Sequence, residues 1–180
     1  GKYYCVPTSY CDVFQYMAHH GMPGQDGSFG TGYNDMSSMI FTMGILMATD
    51  PNKGTSFSNS WNIGNSWIFN HTSKLVYCFG YGPDWDWGTG TIKNVLKTGG
   101  VVVIGRGKYE WDGNDYDRVG GHAVVLVGYN YPSSGGKTIT VCDPNDDGNL
   151  NSQSGYVYVN KATTNLAIDT EDHGVVTHAR

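Results

Sequence analysis

Cys5 stands immediately before the first stretch of helical spacing, in Cys5-Val6-Pro7-Thr8-Ser9. A thiol at a helix N-terminus meets the positive end of the macrodipole and several uncommitted N–H groups. Both favour the thiolate, and the same N–H groups can hold an oxyanion. A cysteine nucleophile also needs a base within hydrogen-bond reach and a third group to orient that base. His122 follows Gly120-Gly121 and opens the apolar run Ala123–Tyr129, and Asp143 closes the next such run in Val141-Cys142-Asp143-Pro144. In an antiparallel pair the start of one strand lies near the end of the next. His122 and Asp143 can therefore be neighbours across a sheet, with Cys5 brought to them by a helix.

Each of these residues has a rival role. Cys5, Cys11, Cys78 and Cys142 are even in number and could form two disulfides in a secreted chain. They include no C-x-x-C pair, so a zinc site is not expected. Asp143 also begins Asp143-Pro144-Asn145-Asp146-Asp147-Gly148, which fits the opening of a calcium loop with Asp143, Asn145 and Asp147 as ligands. The twelfth position of that loop is Ser154, where a bidentate acid is needed. Tyr156-Val157-Tyr158-Val159 then alternates like a strand rather than a flanking helix. The orienting role is the expected one, calcium the alternative, and no cofactor is required. The other histidines, His19, His20, His71, His173 and His178, have no partner pattern and are expected at exposed or capping positions.

The elements that must position these groups follow from periodicity. Tyr10, Val13, Phe14, Met17 and Ala18 give one apolar helical stripe between Pro7 and His20, stopped by Gly21 and Pro23. A second helix runs from Asp35 and carries Met36, Met39, Ile40, Met43 and Met47, a methionine stripe that reads as core. A third, weaker one spans Asn59 to Phe69. Leu75–Phe79 reads as a strand and Ile92–Leu96 as a short helix ending at Gly99-Gly100. Val101–Ile104, Ala123–Tyr129, Thr138–Cys142 and Tyr156–Val159 read as further strands, with a turn at Pro132–Gly136. Helices first and strands afterwards predict an α+β fold, a helical lobe against a twisted antiparallel sheet.

A length of 180 residues is that of a single domain, 1–180. The formal charge of −5, with no Lys/Arg cluster, argues against nucleic acid or an anionic membrane as partner. The longest apolar runs are a few residues, so no membrane span is expected. Charged residues are only 15%, Gly numbers 26, and Glu occurs only at Glu110 and Glu171. That balance belongs to a loop-rich chain with few exposed helix faces, and it leads to the expectation of a secreted, extracellular protein. The opening at Gly1, without Met, is consistent with a removed leader or with a piece of a longer secreted chain.

The words Cys-Val-Pro-Thr-Ser at a helix start, Gly-Gly-His-Ala-Val-Val-Leu-Val-Gly-Tyr later, and a strand ending in Asp-Pro resemble papain-like cysteine peptidases. They look closest to the C39-like group, the bacterial double-glycine peptidases and their extracellular relatives. Met47-Ala48-Thr49-Asp50 followed by Lys53-Gly54-Thr55 is similar to that group as well. The resemblance spans roughly residues 5 to 160. It implies a papain-like fold and a thiol hydrolase that cleaves amide bonds of a peptide or protein substrate through an acyl-thioester. Cys5 would be the nucleophile, His122 the base and acid, and Asp143 the orienter. One departure is visible. Papain-like enzymes carry a Gln a few residues before the nucleophile as an oxyanion donor, and only Gly1, Lys2, Tyr3 and Tyr4 precede Cys5 here. The alternative reading is a catalytically silent papain-like module that binds within an extracellular assembly.

Overall fold

The computed structural model describes residues 3–71, 95–97, 99–111, 114, 116–130, 138–144, 163–167 and 178–179. Among these residues three helices, α1 (Cys5–His19), α2 (Tyr33–Leu46) and α3 (Phe57–Asn70), precede five strands: β1 (Val102–Trp111), β2 (Tyr116–Asn130), β3 (Thr138–Cys142), β4 (Thr163–Ala167) and β5 (His178–Ala179). The chain is α+β, with its helices first in sequence and its described strands in one sheet of order β4-β3-β2-β1-β5. Every neighbouring pair in that sheet is antiparallel.

Helix α1 begins at Cys5, two residues before Pro7, because the first helical hydrogen bond runs from Thr8 N–H to Tyr4 C=O at 3.0 Å. Pro7 falls within the first turn, where a missing N–H leaves no helical bond unmade. The helix ends as its sequence dictates. Gly21 takes φ 98°, and Met22 N–H returns to Met17 C=O at 3.0 Å, the six-to-one bond of a glycine-terminated helix. His20 Nδ1 donates to Tyr16 C=O and His71 Nδ1 to Trp67 C=O, so two of the histidines cap the ends of α1 and α3.

Most of α1 is enclosed. Phe14 is buried and stacks on Trp67 of α3 with centroids 5.7 Å apart, and the buried Gln15 donates to the sulfur of Met39 on α2. Met36, Met39, Met43 and Met47 are all buried, so the methionine stripe is core, as its spacing predicts. Two glycines set the closeness of this packing. A Cβ at Gly44 would run into the ring of Tyr4, and one at Gly64 into the ring of Tyr10. Helix α3 starts two residues earlier than its spacing suggests, since Ser56 Oγ caps the N–H of Asn59 at 3.2 Å.

The sheet departs further from expectation. Strand β2 starts at Tyr116 rather than Ala123, and β1 extends to Trp111 rather than ending at Ile104. Gly120 and Gly121, read as a break, lie within the ladder opposite Lys108 and Gly107, and a register shift at Lys108/Tyr109 absorbs the irregularity. Val125 and Cys142, directly paired, join the helical core, while Val124, Leu126 and Ile104 are also buried. Burial on both faces explains why Ala123–Leu126 is continuously apolar instead of alternating. Strand β3 has the bounds its sequence gives. β4 and β5 have no counterpart in the periodicity. Residues 95–97 form a helical turn, closed by Gly99 N–H to Leu96 C=O and Gly100 N–H to Val95 C=O. The expected strands at Leu75–Phe79 and Tyr156–Val159, the start of the helix at Ile92, and the turn at Pro132–Gly136 lie outside the described residues.

Candidate active site

Two elements far apart in sequence meet at one point. The N-terminus of α1 packs on β2, and β2 pairs with β3 in a register that puts Val125 opposite Cys142. Continuing that antiparallel register one step places Asp143 beside Val124, and His122 lies two residues back along the same strand. His122 Nε2 donates to Asp143 Oδ1 at 2.5 Å. The two side chains retain 17% and 19% of their exposure, so the pair sits at the rim of the buried region and not within it. His122 does not open its strand, as the glycines before it suggested. It stands inside β2, opposite Arg106 of β1, and its neighbours on both sides are held in the ladder. That gives the imidazole a firmer base than a strand end.

Cys5 completes the chain of contacts. Burial alone raises the thiol's affinity for its proton, but four influences outweigh it and the thiol is held below its ordinary value of 9.0. These are a hydrogen bond with His122, the backbone N–H of Ala123, the charge of His122 and the backbone N–H of Val6. Burial likewise opposes the charged form of His122, yet the bond to Asp143, the bond to Cys5 and the charges of both raise it from 6.5 to about 9. With Nε2 engaged by Asp143, Nδ1 is the ring nitrogen left for Cys5. The arrangement favours a thiolate beside an imidazolium, which is in turn held by a carboxylate.

The three residues singled out from sequence are thus brought together. Val6 N–H is one of the helix-terminus donors expected from sequence, whereas the donor from Ala123 was not foreseen. Its signal lay in the run Gly120-Gly121-His122-Ala123, whose small residues let a helix terminus approach the backbone of β2. Tyr4, packed on Gly44, is a second unforeseen contributor, because it fixes the entry of the chain into Cys5. Among the uncommitted donors of the first turn, Val6 N–H goes to the sulfur and Pro7 has none. The N–H of Cys5 lies at the first helical position, where the helix itself supplies no acceptor for it.

The rival roles fare differently. Cys5 and Cys11 are free thiols, so neither is half of a disulfide, and Cys78 lies outside the described residues. Cys11 is buried and its thiol is pushed well above the ordinary range, first by burial and then by the neighbouring Asp12. The Asp143 carboxylate is engaged by His122, and Asn145 and Asp147, the other ligands of the calcium alternative, lie outside the described residues. Among the described residues no group of three His, Cys, Asp or Glu could hold a metal ion, and no helix is long and apolar enough to cross a membrane.

No family model, curated protein or solved structure matches this chain. What is defined by geometry is an α+β protein with a Cys–His–Asp chain of hydrogen bonds at a helix–sheet junction.

Proposed function

We propose that this chain is a secreted papain-like cysteine peptidase or amidase, of the C39-like kind its motifs resemble, with Cys5, His122 and Asp143 as its triad. The observation that carries the reading is the continuous contact from thiol to imidazole to carboxylate. Cys5 is bonded to His122, and His122 Nε2 lies 2.5 Å from Asp143 Oδ1. A disulfide partner or a structural histidine requires no such sequence of contacts.

The chemistry follows from the proton inventory. The Cys5 thiolate attacks the carbonyl carbon of an amide, forming a C–S bond and placing negative charge on the carbonyl oxygen, toward the N–H of Cys5. The imidazolium of His122 gives its Nδ1 proton to the leaving nitrogen as the C–N bond breaks, and an acyl-thioester remains. Neutral His122 then takes a proton from water, whose oxygen attacks the thioester. The acid product departs, and the thiolate and imidazolium are restored. Asp143 keeps Nε2 protonated and the ring in register throughout. The substrate is a peptide or protein segment, extended enough to pass a rim formed by a helix terminus and a strand. No cofactor enters any step.

Iodoacetamide labelling followed by peptide mapping tests the reading, with cleavage of a peptide library as the companion assay. Cys5 is expected to be alkylated well ahead of Cys11 and Cys142, and Cys5→Ala to abolish cleavage while keeping the fold. Equal labelling of the cysteines, or none at Cys5, removes the enzyme and leaves the binding module.

A further inference from the structure

One buried acid has no part in this chemistry. Asp12 keeps only 8% of its exposure, and neither carboxylate oxygen has a hydrogen-bond partner. The hydroxyl of Ser9, fully buried, is likewise without one. Cys5, Ser9 and Asp12 follow at i, i+4 and i+7, which places them on one face of α1. Cys5 shows where that face points, since it bonds to His122 and Ala123 of β2. The other faces are taken, by Trp67 of α3 against Phe14 and by Met39 of α2 against Gln15. Asp12 is therefore aimed into the junction of α1 with the sheet, two turns beyond the nucleophile.

No hydrogen bond offsets a charge on it. From α1 itself come Cys5 and Cys11. From β2 come His122, already held by Asp143 and Cys5, and Asp117 and Arg118 in the strand's first turn of ladder. Strand β1 carries Arg106, Lys108 and Glu110 in its sequence. Helix α2 has only the exposed Asp35 and the exposed phenol of Tyr33, and α3 has no charged residue at all. Burial pushes the Asp12 carboxyl well above the ordinary 3.8. An unpaired carboxylate in such a place is costly enough that the group holds its proton instead.

We propose that Asp12 is a proton-operated latch on the α1–sheet junction. With its carboxyl neutral, α1 lies on β2 and Cys5 meets His122; with it ionised, the helix face draws water and the two elements part. The latch stands on the burial of Asp12 alone. Its consequence for chemistry rests on the peptidase reading, because the elements it holds together are the ones that carry the nucleophile and its base.

The sign is set by proton count. The folded state binds a proton at Asp12 that the unfolded chain has released above about pH 4, so stability falls as pH rises until the folded carboxyl itself ionises. Asp12→Asn keeps the shape and the neutral charge and removes the titration. In urea unfolding, the folding equilibrium of the wild type relative to Asp12→Asn should fall about tenfold per pH unit above pH 4, then level off. Hydrogen exchange should show α1 and β2 amides losing protection over that range in the wild type only. Carbon-13 spectra of aspartate-labelled wild-type protein give an independent reading, with one carboxyl titrating well above the rest. A constant ratio of the two proteins from pH 4 to 8, a loss of protection spread evenly over the molecule, or ordinary titration of every aspartate overturns the latch. If Cys5 proves unreactive while the pH-dependent ratio persists, the peptidase reading fails and the latch stands.

Discussion

Asp143→Asn removes the charge that orients His122 while keeping a side chain of the same shape. Burial works against the imidazolium, so the rise from 6.5 to about 9 is what remains after the Asp143 bond, the Cys5 bond and their charges have prevailed. That rise corresponds to roughly 3 kcal/mol in favour of the charged ring. Asp143 supplies the largest of the favourable influences, and losing about half of the total is on the order of 1.5 kcal/mol, or about tenfold in the imidazolium population. Two limbs should move. The low-pH limb of Cys5 alkylation by iodoacetamide should shift to higher pH, because a weaker imidazolium no longer steadies the thiolate. The high-pH limb of amide cleavage, set in the wild type by His122 near pH 9, should shift downward by about one unit. Together they narrow the active window from both sides, while circular dichroism and the melting temperature report a retained fold. An alkylation profile identical to wild type, or a high-pH limb still near 9, would show that Asp143 does not tune the pair.

Packing around the site gives further expected outcomes. Gly44→Ala drives a methyl group into the Tyr4 ring, so it should cost about 1–3 kcal/mol and slow Cys5 alkylation, since Tyr4 leads directly into the nucleophile; urea unfolding and the labelling rate check the two parts. Ser56→Ala should lower stability by about 1 kcal/mol through loss of the α3 cap, with the labelling rate of Cys5 unchanged. Met43→Ala, at a fully buried position of the α2 stripe, should cost about 2–5 kcal/mol, measured by denaturant midpoint.

Much of this was legible in the residues, and the reasons differ by element. The three helices could be placed because their apolar positions recur with helical spacing, and Gly21 and Asp35 mark the end of the first and the start of the second. Cys5, His122 and Asp143 could be selected because a helix start, a strand and a strand end are the places where such groups can converge. The length of β1 and β2 could not. Gly120 and Gly121 stand before the apolar run like a boundary, yet they are ladder positions opposite Lys108 and Gly107. Asp12 escaped notice for a related reason. A lone acid at i+7 from Cys5 looks like an ordinary exposed helix position until the sheet is laid over it. β4 and β5 pair through backbone bonds over two to five residues, too few to leave a period.

The site and the latch also meet in a single titration argument. Between pH 6.5 and 9 an unfolded chain keeps one proton across Cys5 and His122, on the thiol. In the folded chain the same pair, once its first proton has left, keeps one as well, on the imidazolium, up to about 9. Taken singly, His122 stabilises the fold below 6.5 and loses that contribution as pH rises toward 9. Cys5, its thiol held below its ordinary value, contributes in the opposite sense, gaining stability as pH rises toward 9, and so offsets part of that loss. The catalytic pair therefore contributes less to the pH dependence of stability than the His122 rise alone would. Below 6.5 the unfolded histidine takes up a second proton and the pair begins to favour unfolding, while Asp12 favours folding more with each step into acid. Asp12→Asn separates the two contributions, since the pair titrates in both proteins and the buried carboxyl in only one.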